Sequence, residues 1–217
     1  MAYDLYVITD EGLSHGRSHL RIAELAVAGG ADVIQLRDKH ISGKEMYHVS
    51  KGMREITRKT GAIFIVNDRL DVALASKADG VHLGQEDLPL PEARILAPSP
   101  FIIGISVESA EEARRAEREG ADYVAVGPVF PTGSKTDAGP ALGTGRVAEI
   151  RKAVSIPVIA IGGIQATNAA EVISAGADGL AVISAVVSQD DILQAARHLR
   201  QIIGSAKQKQ ESSSFRT

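Results

Sequence analysis

Residues 121–138 read ADYVAVGPVFPTGSKTDA: an Ala-Asp pair, an apolar run, then a loop of hydroxyls and one lysine. The same opener recurs at Ala31-Asp32 before VIQLR, Ala78-Asp79 before GVHLG and Ala177-Asp178 before GLAVIS. In three of the four a glycine comes just before, as expected where a helix ends and the chain turns into a strand. The four aspartates lie 47, 43 and 56 residues apart. One before the first and one between each pair, four more apolar runs alternate with them: LYVIT at 5–9, IFIVN at 63–67, IIGISV at 102–107 and VIAIG at 158–162. Near-continuous apolar runs of this length suit parallel strands buried on both faces.

Charged stretches of helical period separate the runs. His19 to Ala28 and Lys44 to Lys59 are two. Ser109 to Glu119 opens with Ser109 and Glu112 at capping-box spacing. Arg146 to Val154, Asn168 to Ala175 and Asp191 to Ile203 follow, while Leu70 to Ser76 and Pro91 to Leu96 are short. Eight strand–helix units at about 27 residues each fit a single (β/α)8 TIM barrel over residues 1–206. An open doubly wound sheet also alternates, but even spacing with no leftover segment favours closure. The stretch 207–217 (KQKQESSSFRT) is polar and reads as a disordered tail.

Composition narrows function. With 24 Lys and Arg against 27 Asp and Glu, the net charge is −3, against nucleic acid or a polybasic membrane contact as the main partner. No cysteine excludes thiol catalysis, iron–sulfur clusters and disulfides. Aromatic residues are 4% with no Trp, too few for a base-stacking platform. Asp4 and Asp10 do not sit as in a signal peptide, and no apolar run approaches the ~18–20 residues that cross a bilayer. A cytoplasmic protein acting on small molecules is expected, as a monomer or a homo-oligomer.

In such a barrel the site lies at the C-terminal ends of the strands. Arg37 and Lys39, two apart, share one side of an extended segment and suit a polyanion. Asp68 and Asp87 end neighbouring strands; two carboxylates are what Mg²⁺ takes when phosphate and water complete its shell. Thr132, Ser134 and Lys135 lie in a long loop able to cradle phosphate or a heterocycle. Gly162-Gly163 and Ser184 read as a phosphate cup after the last two strands. His82 is expected to be a hydrogen-bonded barrel residue. His15 and His19, with no third ligand nearby, read as bonded or solvated side chains. No nucleophile–base pair is evident, so the rim favours charge stabilisation over covalent catalysis.

Six segments in order resemble the thiamine-phosphate synthase (thiamine-phosphate pyrophosphorylase) family from about Tyr6 to Ile203. They are QLRDK at 35–39, NDRLDVALASKADGVHLGQED at 67–87, GIS at 104–106, GPVFPTGSKTDA at 127–138, IAIGGI at 159–164 and ADGLAVISAV at 177–186. The resemblance implies a Mg²⁺-dependent transferase that joins hydroxymethylpyrimidine diphosphate to a thiazole phosphate, releasing pyrophosphate by dissociative substitution. It implies pyrimidine diphosphate on Gln35, Arg37, Lys39 and Asn67, metal on Asp68 and Asp87, and the pyrimidine on Ser106. It implies the thiazole phosphate near Thr132 and Ser134 and in a cup of Gly163, Ile183 and Ser184, with Lys135 near the diphosphate. It implies that Arg37, Lys39 and Lys135 carry the catalysis. Ser134 stands where the family usually has Thr, and Glu108 where it often has His. A thiazole tautomerase on the same barrel and a non-catalytic binder of thiamine intermediates are the rival readings. The intact Arg37, Lys39, Asp68, Asp87 and Lys135 set argues against the tautomerase, which has no diphosphate to neutralise; the binder predicts ligand binding without Mg²⁺-dependent turnover.

Overall fold

The computed structural model describes residues 3–134 and 139–214. Its strands are β1 (Leu5–Thr9), β2 (Val33–Leu36), β3 (Ile63–Asn67), β4 (Gly80–Leu83), β5 (Ile102–Val107), β6 (Tyr123–Val126), β7 (Val158–Ile161) and β8 (Gly179–Val182). All pair in parallel and in chain order, and β8 returns to β1 through Leu5↔Leu180, Tyr6↔Ala181 and Val7↔Val182. The barrel is therefore closed, as the even spacing predicts.

The helices are α1 (His19–Ala28), α2 (Gly43–Thr60), α3 (Leu70–Ser76), α4 (Leu90–Leu96), α5 (Ala110–Glu119), α6 (Gly143–Ala153), α7 (Ala169–Ser174), the unexpected short α8 (Ser184–Val187) and α9 (Ile192–Ser214). Five strands stop one to three residues short of their apolar runs. The residues left over, such as Arg37, Gly84 and Ser184, leave the ladder to line the barrel mouth.

Helices form where periodicity and caps agree. In α2 the buried positions Met46, Ser50, Met53 and Thr57 keep one face, and Ser42 Oγ accepts the Glu45 N–H. In α5 the face is Ala110, Ala113 and Ala116, small enough to lie close on the barrel. Ser109 caps the Glu112 N–H as expected, but the Glu112 carboxylate reaches one residue further back, to the Glu108 N–H at 2.8 Å.

The repeated aspartates have one shared task at the N-terminal end of the barrel, away from the mouth. Asp32, Asp79, Asp122 and Asp178 accept from the N–H groups of Leu5, Phe64, Ile103 and Val158, at 2.7–2.9 Å. Each also meets one arginine: Arg200 of α9, Arg54 of α2, Arg94 of α4 and Arg151 of α6. So a carboxylate at the start of every even strand ties it to the odd strand before it and to a helix outside. Arg94 further donates to the carbonyls of Ala97, Phe101 and Gly120. Asp122→Ala strips a partner from both the Ile103 N–H and Arg94. It is expected to cost about 2 kcal/mol for this partly exposed pair. Thermal unfolding should shift down by ~4–8 °C, with activity per folded molecule unchanged.

Inside the barrel Tyr6 and Tyr123 are fully buried with their hydroxyls 3.0 Å apart. Tyr123 fits only because residue 104 is glycine: a Cβ there would lie 2.0 Å from the ring.

The polar stretch from Lys207, read as a disordered tail, instead continues α9 to Ser214. Lys207 Nζ donates to the Asp178 carbonyl at 2.6 Å and pairs with Asp4; Gln210 donates to the Ile173 carbonyl at 2.8 Å. Lys207 and Gln210 thus dock this part of the helix. No helix among the described residues is long and apolar enough to cross a membrane.

Candidate active site

A cavity of about 460 Å³ opens at the C-terminal mouth of the barrel. That volume suits a small-molecule site. Of the residues predicted from sequence, Arg37, Lys39, Asn67, Asp68, Asp87, Ser106, Thr132, Ser134, Gly163, Ile183 and Ser184 line it. Lys135 lies outside the described residues. Gln35 does not line it.

Gln35 sits on the same side of its segment as Arg37 but one pleat deeper, inside the barrel and 2% exposed. Its Nε2 donates to the Tyr6 hydroxyl at 2.7 Å, and its Oε1 has no hydrogen-bond partner among the described residues. From Tyr6 the bonds run upward through the Tyr123 hydroxyl to His82 Nδ1, 3.0 Å, and from His82 Nε2 to Ser106 Oγ, 2.9 Å. His82 is thus the bonded barrel residue expected, and it also reaches the cavity wall. Ser106 is held from below by this chain, and its carbonyl accepts from Gln85 Nε2 at 2.6 Å.

Two arcs of the rim differ in character. On one, after β2, β3 and β4, stand Arg37, Lys39, Asp68 and Asp87. Asp68 has a left-handed backbone, φ 61°, and its N–H donates to the His82 carbonyl at 2.9 Å. That turn aims its carboxyl at Asp87, whose carboxylate also accepts from the Gly84 N–H at 2.6 Å. Burial, then the charge of Asp87 and a hydrogen bond with it, push the Asp68 carboxyl up to about 6, while Lys39 and Arg37 pull it down. Arg69, which could have neutralised this pair, is bound to Asp71 at 2.6 Å.

On the other arc, after β6, β7 and β8, stand Thr132, Ser134, Gly163 and Ser184. Ser134 Oγ donates to Ser184 Oγ at 3.1 Å, joining two loops. Gly162 and Gly163 both have positive φ, 98° and 65°, and a Cβ at 163 would lie 2.6 Å from the Pro131 carbonyl. Only glycine brings the backbone this close to the neighbouring loop.

Glu108, marked in the sequence only as a departure from the family pattern, lines the cavity between the two arcs. Sequence reasoning missed the contact that lies behind Arg37 and Lys39. Asp38 between them is bonded by His19 Nε2 at 3.1 Å and by the N–H groups of His40 and Ile41. A polar residue alternating with two cations was the only available signal.

The family model described as thiamine monophosphate synthase matches residues 5–186. The chain is 62% identical over 203 residues to a thiamine-phosphate synthase of Methanocella arvoryzae, covering 94% of this chain and 96% of that one. It is 60% identical over 207 residues to one of Methanoculleus marisnigri, covering 95% and 98%. Among solved structures it is similar to a thiamine phosphate pyrophosphorylase from Pyrococcus furiosus, with a TM-score of 0.88, 46% identity, and 94% and 96% of the two chains covered.

Proposed function

This chain belongs to the thiamine monophosphate synthase family, and we propose that its two-arc mouth condenses hydroxymethylpyrimidine diphosphate with hydroxyethylthiazole phosphate. The activity is that of a thiamine-phosphate synthase, a transferase acting on small molecules. The observation that carries the detailed reading is the division of the rim. A cation-rich arc with paired carboxylates suits a metal-bound diphosphate. A hydroxyl-and-glycine arc across the same cavity suits a lone phosphate. The reading puts the reaction in the cytoplasm, a location that a chain with no cysteine fits.

The donor set fits Mg²⁺. Asp68 and Asp87 offer hard oxygens side by side, and their mutual repulsion is what a divalent cation relieves. When bound there, Mg²⁺ would supply positive charge to the diphosphate. Arg37 and Lys39 bind the same group, Arg through a planar fork and Lys as a point charge. Lys135 is assigned to it on the resemblance alone. The bond from the pyrimidine methylene carbon to the diphosphate oxygen breaks, and the oxygen leaves with both electrons as pyrophosphate. The thiazole nitrogen then gives its lone pair to that carbon. No proton moves, which agrees with a mouth whose residues bind and orient. Ser106, fixed by His82, faces the pyrimidine. Gly163, Ser184 and Ser134 hold the thiazole phosphate.

The test is direct: supply both substrates with Mg²⁺ or with EDTA and quantify thiamine phosphate by mass spectrometry. Product with Mg²⁺ and none with EDTA is expected; equal product in both would remove the metal from the reading. Ser184→Ala should raise the KM for the thiazole phosphate by about tenfold or more, the ~1.5–3 kcal/mol of one hydrogen bond to a charged group. The KM for the pyrimidine diphosphate should stay put. A rise in both would place Ser184 outside the phosphate cup.

A further inference from the structure

We propose that His19 is a positioning residue that aims Arg37 and Lys39 into the mouth by anchoring Asp38. The inference rests on the diphosphate reading of that arc. His19 opens α1 and is 2% exposed, far below the usual exposure of a histidine. Both ring nitrogens are engaged. Nδ1 lies 2.7 Å from Thr9 Oγ1, and Nε2 lies 3.1 Å from Asp38 Oδ2. A carboxylate only accepts, so Nε2 carries the proton in that bond.

The contacts at each end are fixed. Thr9 is the fully buried last residue of β1, and its hydroxyl donates to the Gln35 carbonyl of β2 at 3.2 Å. The His19 N–H is itself held by Glu11 Oε1 at 2.7 Å. The ring therefore braces the end of β1 against the loop that follows β2. On that loop Asp38 spends its second oxygen on the N–H groups of His40 and Ile41, at 2.8 and 3.2 Å, fixing a tight turn. Together these partners hold the carboxylate below the usual range although burial opposes it.

Successive side chains of an extended segment point to opposite sides. With Asp38 pinned toward α1, Arg37 and Lys39 on either side face the cavity, which both line. Without the pin, the loop can rotate and the two cations lose their common direction. Binding energy for a diphosphate depends on holding both at once.

The experiment compares His19→Leu, His19→Gln and Asp38→Asn with the unmodified chain. It measures KM and kcat for each substrate, and calorimetric binding of inorganic pyrophosphate with Mg²⁺. His19→Leu and Asp38→Asn are each expected to raise the KM for the pyrimidine diphosphate and the Kd for pyrophosphate about tenfold, as for lost support behind a ligand-binding group. The KM for the thiazole phosphate should stay within twofold. His19→Gln, whose amide can still donate to Asp38, should recover most of the loss. The His19→Leu/Asp38→Asn double variant should be no worse than the worse single. Equal effects on both substrates, no effect on either, or additive losses would overturn the role. If His19→Leu does not fold, Asp38→Asn alone decides by the same split. An unmodified chain that makes no thiamine phosphate and binds no pyrophosphate would instead overturn the reading on which the inference rests.

Discussion

Asp68→Asn is expected to make the metal-free chain more stable and the enzyme nearly inactive. In the native fold the Asp68 carboxyl is pushed up to about 6 from an ordinary value of 3.8. The folded chain then holds a proton at Asp68 over a pH range in which the unfolded chain has released it. Stability contributed by the protonated form is present below about pH 4 and is lost as the pH rises through 6. At pH 7 the ionised pair opposes folding by ~1–2 kcal/mol, after a discount for its partial exposure. Asn removes that charge and tolerates the left-handed backbone that position 68 adopts. A rise in Tm of ~3–6 °C at pH 7.5 in EDTA should follow, shrinking toward zero near pH 4. Turnover with Mg²⁺ should fall about a hundredfold or more, since one of two carboxylate ligands is gone. The same coupling predicts that apparent Mg²⁺ affinity weakens toward tenfold per pH unit below about 6. A lower Tm for Asp68→Asn would mean that the two carboxylates stabilise the fold.

Arg37→Ala should show the largest loss of catalysis. Neutralising a departing diphosphate is the main demand of this reaction, and one fixed cationic fork on such a group is worth about 3–4 kcal/mol. kcat/KM for the pyrimidine diphosphate is expected to drop about 10²–10³-fold, with the thiazole-phosphate KM within twofold. Arg37→Lys should recover only part, because an ammonium cannot make the paired hydrogen bonds of a guanidinium. The variant also removes one of the two charges that pull Asp68 downward, so Asp68 should hold its proton to a higher pH still. Steady-state kinetics with each substrate varied in turn checks the first point. Full activity in Arg37→Lys would reduce Arg37 to a general positive charge.

Much of this protein was legible in its linear order. Eight apolar runs, the Ser109 cap and four Ala-Asp openers are local signals, and hydrogen-bonded secondary structure is mostly a local decision. The rim residues were legible too, because in a parallel barrel whatever follows a strand arrives at one mouth. What those openers do was not. Asp122 meets Ile103 and Arg94, 19 and 28 residues back, and Asp32 meets Arg200 near the other end of the chain.

Depth was also decided in three dimensions. Gln35 and Arg37 share a side of one segment, yet the stagger of neighbouring strands puts Gln35 against Tyr6 inside the barrel and Arg37 at the mouth. The polar residues after Lys207 look unstructured because their partners, Asp4, Asp178 and Ile173, come from distant segments. Period and punctuation along the chain determined that this is an eightfold barrel with its chemistry on one rim. Closure of β8 onto β1 decided which side chains meet, because those contacts exist only once strands far apart in sequence lie side by side.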